Sequence, residues 1–229
     1  TLMRAVITAS AAVRKEKLTS PEATFVTELA SHFVKLLTSS EPVNPSGLVQ
    51  AAQKCRAFAE IVDLQGGQQA NGGCAQDFTE KLLATINVIA PKSMDALRVH
   101  TSKVTVCTGC KTESDTVNPP DLCLNLPGKE LTDDSVTSVQ ELMRAFEAPQ
   151  QVEWKCPTCK KRVKASQTSR LNKDRLPGTL VVQLPRTVFD RATVSERRLK
   201  TKIGCATSLR VPGTNEQYEL VAAMMHVQR

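Results

Sequence analysis

The sequence predicts an α+β chain in which helices come first and strands follow. Three observations carry this expectation: an apolar repeat of helical period through the first 90 residues, a change to alternation from about residue 97, and two C-x-x-C pairs set among the strands.

Four segments make up the helical part. Met3, Val6 and Ile7 open the first, and Phe25, Leu29, Phe33, Leu36 and Leu37 line one face of a second that ends near Ser39, ahead of Pro42 and Pro45. A third is expected as one helix through Leu48, Ala52, Cys55 and Phe58. The Gly-rich stretch 66–73 separates it from a fourth that carries Phe78, Leu82, Leu83 and Ile86. Residues 1–92 are this helical part, and 93–229 the strand-rich part, of one composite domain. In the second part Leu97, Val99, Val104 and Val106 alternate into Cys107. A short strand from Leu122 to Leu126 follows Pro119 and Pro120, and a helix runs through Val139, Leu142 and Phe146 before Trp154 opens the second cysteine pair. Buried strands are expected at Leu180–Leu184 and Leu220–Met225.

At 229 residues and 41% hydrophobic content the chain can bury a sizeable core, which excludes a disordered tail. No apolar run reaches the roughly 18 residues of a membrane span, and the start lacks the apolar block of a secretory signal, so a soluble chain is expected. Its beginning at Thr1 is read as the mark of a processed chain or of a piece of a longer product. Half of the eight cysteines fall in the two C-x-x-C pairs, a pattern for metal binding in a reducing intracellular compartment rather than for a disulfide scaffold.

Those pairs, Cys107-Thr-Gly-Cys110 and Cys156-Pro-Thr-Cys159, each place two thiolates on one tight turn. Two such knuckles complete the tetrahedron of a structural Zn2+, and four thiolates leave no coordination position for water, so the metal is expected to stabilise rather than catalyse. Cys55, Cys74, Cys123 and Cys205 lie in apolar stretches and are read as small buried hydrophobes. The charge is uneven: between Lys160 and Lys202 thirteen Lys or Arg face Asp174, Asp190 and Glu196, a local balance of +10 within a chain of net +7. Lys160, Lys161, Arg162, Lys164, Arg197, Arg198, Lys200 and Lys202 are therefore a candidate docking face for phosphates or an acidic protein surface, weighed against a merely solvated one.

Four segments in order resemble the ubiquitin-specific protease family. Gly72-Gly73-Cys74-Ala75-Gln76-Asp77-Phe78, followed by Leu82-Leu83, resembles its Gln-Gln-Asp-Ala-Gln-Glu-Phe box, with both glutamines and the first Asp replaced. The order C-x-x-C, Leu-rich strand, helix ending in Phe146, Trp154, C-x-x-C resembles the family's fingers. Leu176-Pro177-Gly178-Thr179-Leu180-Val181-Val182-Gln183-Leu184-Pro185-Arg186 is similar to its Leu-Pro-x-x-Leu-Val-Ile-His-Leu-Lys-Arg strand, and Tyr218 to His226 to its Tyr-x-Leu-x-Ala-Val-Ile-x-His strand.

The resemblance implies a papain-like fold with a helical thumb, a β palm and zinc-ribbon fingers, and a Cys-His-Asp or Cys-His-Asn site for cutting after ubiquitin. In the family's pattern Cys-Tyr-Met-Asn-Ser-x-Leu-Gln-Ala, this chain places Thr1 where the nucleophile stands. His226 matches the first His of the last strand and not the catalytic one, which comes later in a Gly-His-Tyr turn; His32 and His100 are read as ordinary surface or packed histidines. A thiol protease needs a thiolate whose pKa is lowered by a histidine and a helix N-terminus. The expectation is therefore a catalytically inactive family member, a structural or binding component of a larger assembly. Inactive members of the family are built into ribonucleoprotein assemblies such as splicing complexes; with the local +10, the expectation here is a ribosome- or spliceosome-type assembly with protein partners and RNA at the basic segment, no membrane, and ubiquitin binding in doubt. The alternative is a part of an active cysteine deubiquitinase whose Cys and His lie outside this chain.

Overall fold

The computed structural model describes residues 2–59, 75–128, 135–184, 187–190 and 194–223. They fall into two compact units, residues 1–97 and 98–229.

The first unit is helical: α1 (Leu2–Glu16), α2 (Pro21–Thr38), α3 (Ser46–Lys54), α4 (Arg56–Ala59) and α5 (Ala75–Ile89), closed by a 310 turn at Pro91–Leu97 that packs on α5 and α1. Ser20 starts α2 by accepting the Ala23 N–H at 3.2 Å, with Pro21 at the first helical position, where its missing N–H costs nothing. Burial along α2 runs from Ala23 to Ala30; Leu36 and Leu37, expected on the packed face, are 53% and 66% exposed. The expected third helix is two, because at Cys55 the backbone turns extended and its N–H caps the carbonyls of Ala51 and Ala52. Cys55 and Phe58 both enter the core, where the Phe58 ring packs 4.4 Å from Phe25 and 5.2 Å from Phe78.

The second unit is built on a four-stranded antiparallel sheet of order β2-β1-β6-β5, from β1 (Thr101–Cys107), β2 (Glu113–Val117), β5 (Gln150–Lys155) and β6 (Arg162–Leu171). Around it lie the short parallel pairs of β3 (Leu124–Asn125) with β7 (Val182–Gln183) and of β4 (Val136–Ser138) with β10 (Lys202–Gly204). Two antiparallel ribbons complete it, β8 (Thr187–Asp190) with β9 (Ser195–Arg198) and β11 (Ser208–Arg210) with β12 (Gln217–Glu219). Helix α6 (Val139–Phe146) is fixed by a capping box: Ser138 Oγ accepts the Glu141 N–H at 3.2 Å, and Glu141 Oε2 accepts the Ser138 N–H at 2.8 Å.

The core here joins Val99, Leu124, Leu126, Leu142, Met143, Leu171 and Val211, with Leu176, Leu180, Val182, Leu184 and Tyr218 packed against it. Two expected buried strands are shorter and less buried than the sequence suggests. Only Val182–Gln183 of the first pairs, and its residues are half-buried; the second ends at Glu219, with Leu220 and Val221 49% and 85% exposed, while 224–229 lie outside the described residues. β7 pairs with β3 and β12 with β11, each in a two-stranded sheet apart from the four-stranded one. Tyr218 Oη donates to the Pro177 carbonyl at 2.6 Å and so ties the two family-like segments together.

Candidate metal centre

Strand direction brings the two knuckles to one place. β1 and β5 both run antiparallel to β6, on its two sides, so Cys107 at the end of β1 and Cys156 just past the end of β5 meet at the start of β6. The 45 residues between the knuckles form the strands and helix that return the chain to that end.

The two turns repeat each other bond for bond. Cys107 N–H donates to Thr112 O at 3.0 Å and Lys111 N–H to Cys107 O at 3.1 Å; Cys156 N–H donates to Lys161 O at 3.1 Å and Lys160 N–H to Cys156 O at 2.8 Å. In both, the residue after the second cysteine takes a left-handed conformation, Lys111 at φ 63° and Lys160 at φ 55°, where glycine is the usual occupant. Thr108 Oγ1 donates to Lys164 O at 2.6 Å and Thr112 Oγ1 to Thr158 Oγ1 at 2.9 Å, so the knuckles are sewn together beyond their sulfurs.

All four Sγ atoms lie within 4.8 Å of one another, with Cys107 to Cys159 at 3.9 Å and Cys110 to Cys156 at 3.5 Å. Metal–sulfur bonds of about 2.3 Å arranged tetrahedrally put sulfurs ~3.8 Å apart, so the set fits a thiophilic metal ion. These separations are far too long for disulfides, and all four thiols are free. Cys107 and Cys156 are buried, Cys159 is half-buried and Cys110 is exposed. As a thiol, Cys110 donates to Thr112 Oγ1 at 3.1 Å; as a thiolate it accepts from the Thr112 hydroxyl and amide, which holds its pKa down to about 6. Cys159 is pushed up to about 12, because its proton is shared with the Cys110 and Cys156 sulfurs. The four sulfurs thus compete for few protons, and a cation among them satisfies all four at once.

A model of the family described as ubiquitin carboxyl-terminal hydrolase matches residues 2–227. The chain belongs to the ubiquitin carboxyl-terminal hydrolase family. Ubiquitin carboxyl-terminal hydrolase 48 of Gallus gallus is 29% identical over 237 residues, which is 95% of this chain and 21% of that protein. Its namesake in Rattus norvegicus is 29% identical over 201 residues, covering 80% of this chain and 18% of the relative. The chain therefore spans about a fifth of the length of these curated relatives. Among solved structures, the SAGA Ubp8/Sgf11/Sus1/Sgf73 DUB module bound to ubiquitin aldehyde superposes with a TM-score of 0.63 at 19% identity, covering 92% of this chain and 49% of the matched one. That superposition shows the ubiquitin-specific-protease fold, as the hydrolase-family resemblance of the sequence implied.

Other candidate residues are dispersed. Arg162 and Lys164 lie on β6, just beyond Lys160 and Lys161 of the second knuckle; Arg197 and Arg198 belong to β9; and Lys202 lies on β10, two residues after Lys200. The basic run is therefore spread over three separate sheets. Thr1, Gly72, Gly73, Cys74 and His226 lie outside the described residues. Cys55 is buried as expected, and burial together with Glu22, 3.7 Å from its sulfur, holds its pKa up, the reverse of what a hydrolase nucleophile requires. Cys123 is half-buried, and Cys205, expected inside, is exposed, since it sits in the turn between β10 and β11. The sequence reading missed Thr112, Thr158 and the left-handed lysines; the doubled Cys-Lys at 110–111 and 159–160 is the signal that marks the two turns as equivalent.

Proposed function

We propose that the chain is a zinc-stabilised domain of the ubiquitin carboxyl-terminal hydrolase fold that serves as a structural or binding component of a larger assembly and has no hydrolytic chemistry of its own. The observation that carries this reading is the closed set of four sulfurs at the end of the sheet. Zinc held by Cys107, Cys110, Cys156 and Cys159 has no position left for water, so it would clamp β1 to β5 and β6 without activating a nucleophile. Support for the absence of hydrolysis comes from the residues that the family resemblance aligns with the machinery. Thr1 stands for the nucleophilic Cys, a far poorer nucleophile at neutral pH, and Gly72-Gly73-Cys74 replaces the Gln-Gln-Asp start of the box. The solved neighbour belongs to a multi-protein module, which supports protein partners, and the local +10 charge supports an RNA-containing setting of ribonucleoprotein type.

A second reading, that the chain is part of an active cysteine deubiquitinase, is favoured by one fact: it spans 21% of one relative and 49% of the solved chain, room enough for a Cys and a His elsewhere. Hydrolysis of a ubiquitin C-terminal fluorophore conjugate separates the two. No turnover by this chain loaded with zinc, nor by the full-length product, both shown to be folded, is the expected result; turnover by the full-length product sinks the first reading in favour of the second. Metal analysis should give one zinc per chain, and none in Cys107→Ser/Cys156→Ser.

A further inference from the structure

We propose that the cavity between α6 and the β11–β12 ribbon is a docking site for a carboxylate side chain on an extended acidic segment of a partner protein. This goes beyond the function proposed above and holds whether or not the chain hydrolyses ubiquitin conjugates. The cavity measures about 470 Å³ and is lined by Gln140, Arg144, Ser208, Arg210, Gly213 and Gln217 among others. Two guanidiniums, an alcohol and two carboxamides line it, and no lining residue is acidic or aromatic.

Three acids stand by the site: Glu219 is the cross-strand partner of Ser208, Glu216 precedes Gln217, and Glu141 on α6 is already engaged. Glu141 feels the charge of Arg144, but its Oε2 accepts from Thr137 Oγ1 at 3.0 Å and from Ser138 N at 2.8 Å. Neither guanidinium makes a hydrogen bond or ion pair among the described residues, and both arginines are exposed. A third cation stands at the rim: a β-carbon at Gly213, whose φ is +67°, would lie 2.6 Å from Lys173 Nζ. Lys173 is itself bridged to Glu147 at 3.7 Å.

The backbone argues for a peptide. Val211 N–H donates to Glu216 O and Leu220 N–H to Thr207 O, so Thr207, Leu209 and Val211 turn their amides to β12 while Ser208 and Arg210 turn theirs outward. Gln140 already takes the outward groups of Arg210 as a strand would, its Oε1 accepting from Arg210 N at 2.9 Å and its Nε2 donating to Arg210 O at 2.9 Å. Among the described residues nothing bonds the outward groups of Ser208, so an extended segment can bond there through one residue's backbone while a Glu or Asp side chain enters the cavity as a bidentate partner. Nucleic acid is disfavoured, because no ring lines the site for a base to stack on.

Fluorescence anisotropy of fluorescein-labelled hexaglutamate with the zinc-loaded full chain tests the proposal. Arg144→Gln and Arg210→Gln should each weaken binding about tenfold. Arg162→Gln and Lys164→Gln, at the knuckle end of β6, should change it by less than about twofold. Ser208→Glu, which puts a carboxylate at the site, should abolish it, and thermal melts establish that each variant is folded. The proposal is overturned by no hexaglutamate binding, by equal losses from all four neutralisations, or by tighter binding of a labelled uridine hexanucleotide with the same dependence on Arg144 and Arg210.

Discussion

Tyr218 shows how much one side chain can tie together. Its ring packs on the core of the strand-rich unit, its hydroxyl reaches the buried Pro177, and burial pushes its pKa up, so it remains a neutral donor at any ordinary pH. Tyr218→Phe keeps the packing and orphans the Pro177 carbonyl; a loss of about 1–2 kcal/mol in urea unfolding is expected. The knuckle lysines carry the opposite kind of burden. Lys160→Val puts a β-branched side chain at φ 55° and should cost about 1–2 kcal/mol in the metal-loaded chain, whereas Lys160→Gly should not lower the unfolding midpoint. The sulfurs of the site were legible in the sequence because C-x-x-C spacing is itself the geometry of the turn. The lysine conformations were not, since a glycine would announce positive φ and a lysine does not.

Helices were easier to read than strands, for a physical reason. The apolar positions of α2 and α5 repeat at the helix's own period, which marks both as helices and places Phe25 and Leu29, Leu82 and Ile86 inside; Leu36 and Leu37 fit the same period but lie beyond the reach of the core. The third helix was read through Cys55 because a small apolar residue there fits either a continuous helix or its end. β6 went unread: Ser166, Gln167, Thr168 and Ser169 look like loop, yet they pair with β1 in the middle of the sheet, where Gln167 Nε2 donates to Thr105 Oγ1 at 3.1 Å. Pairing with two neighbours, not an apolar face, makes that strand. α6 leans on its cap instead. Glu141 has a pKa lowered chiefly by hydrogen bonds from Thr137 and Ser138, so its contribution is complete above its ordinary value of 4.5 and is lost as pH falls through the lowered one. Melting curves of the wild type and Glu141→Gln should therefore differ at neutral pH and converge in acid.

Each unit has its own apolar packing, and the strand-rich one also gathers four sulfurs at one end of its sheet. Phe58→Ala removes the ring between Phe25 and Phe78 and should cost about 3–5 kcal/mol, read as faster amide exchange in α2 and α5. Chelation should have the complementary pattern: exchange quickens in β1, β5 and β6 and stays unchanged in α2. Among the described residues no helix is long and apolar enough to cross a membrane. The pairing of Cys110 with Cys156, 46 residues apart, also sets an order in time. A ribosome adding about 5–20 residues per second takes roughly 2–9 s to travel from one to the other. For that interval the first pair of thiols is out without the second, able to hold a metal by two bonds only, and β1 has no β6 to lie against. On the function proposed above, metal capture and closure of the sheet therefore come together, once Cys156 and β6 have been made.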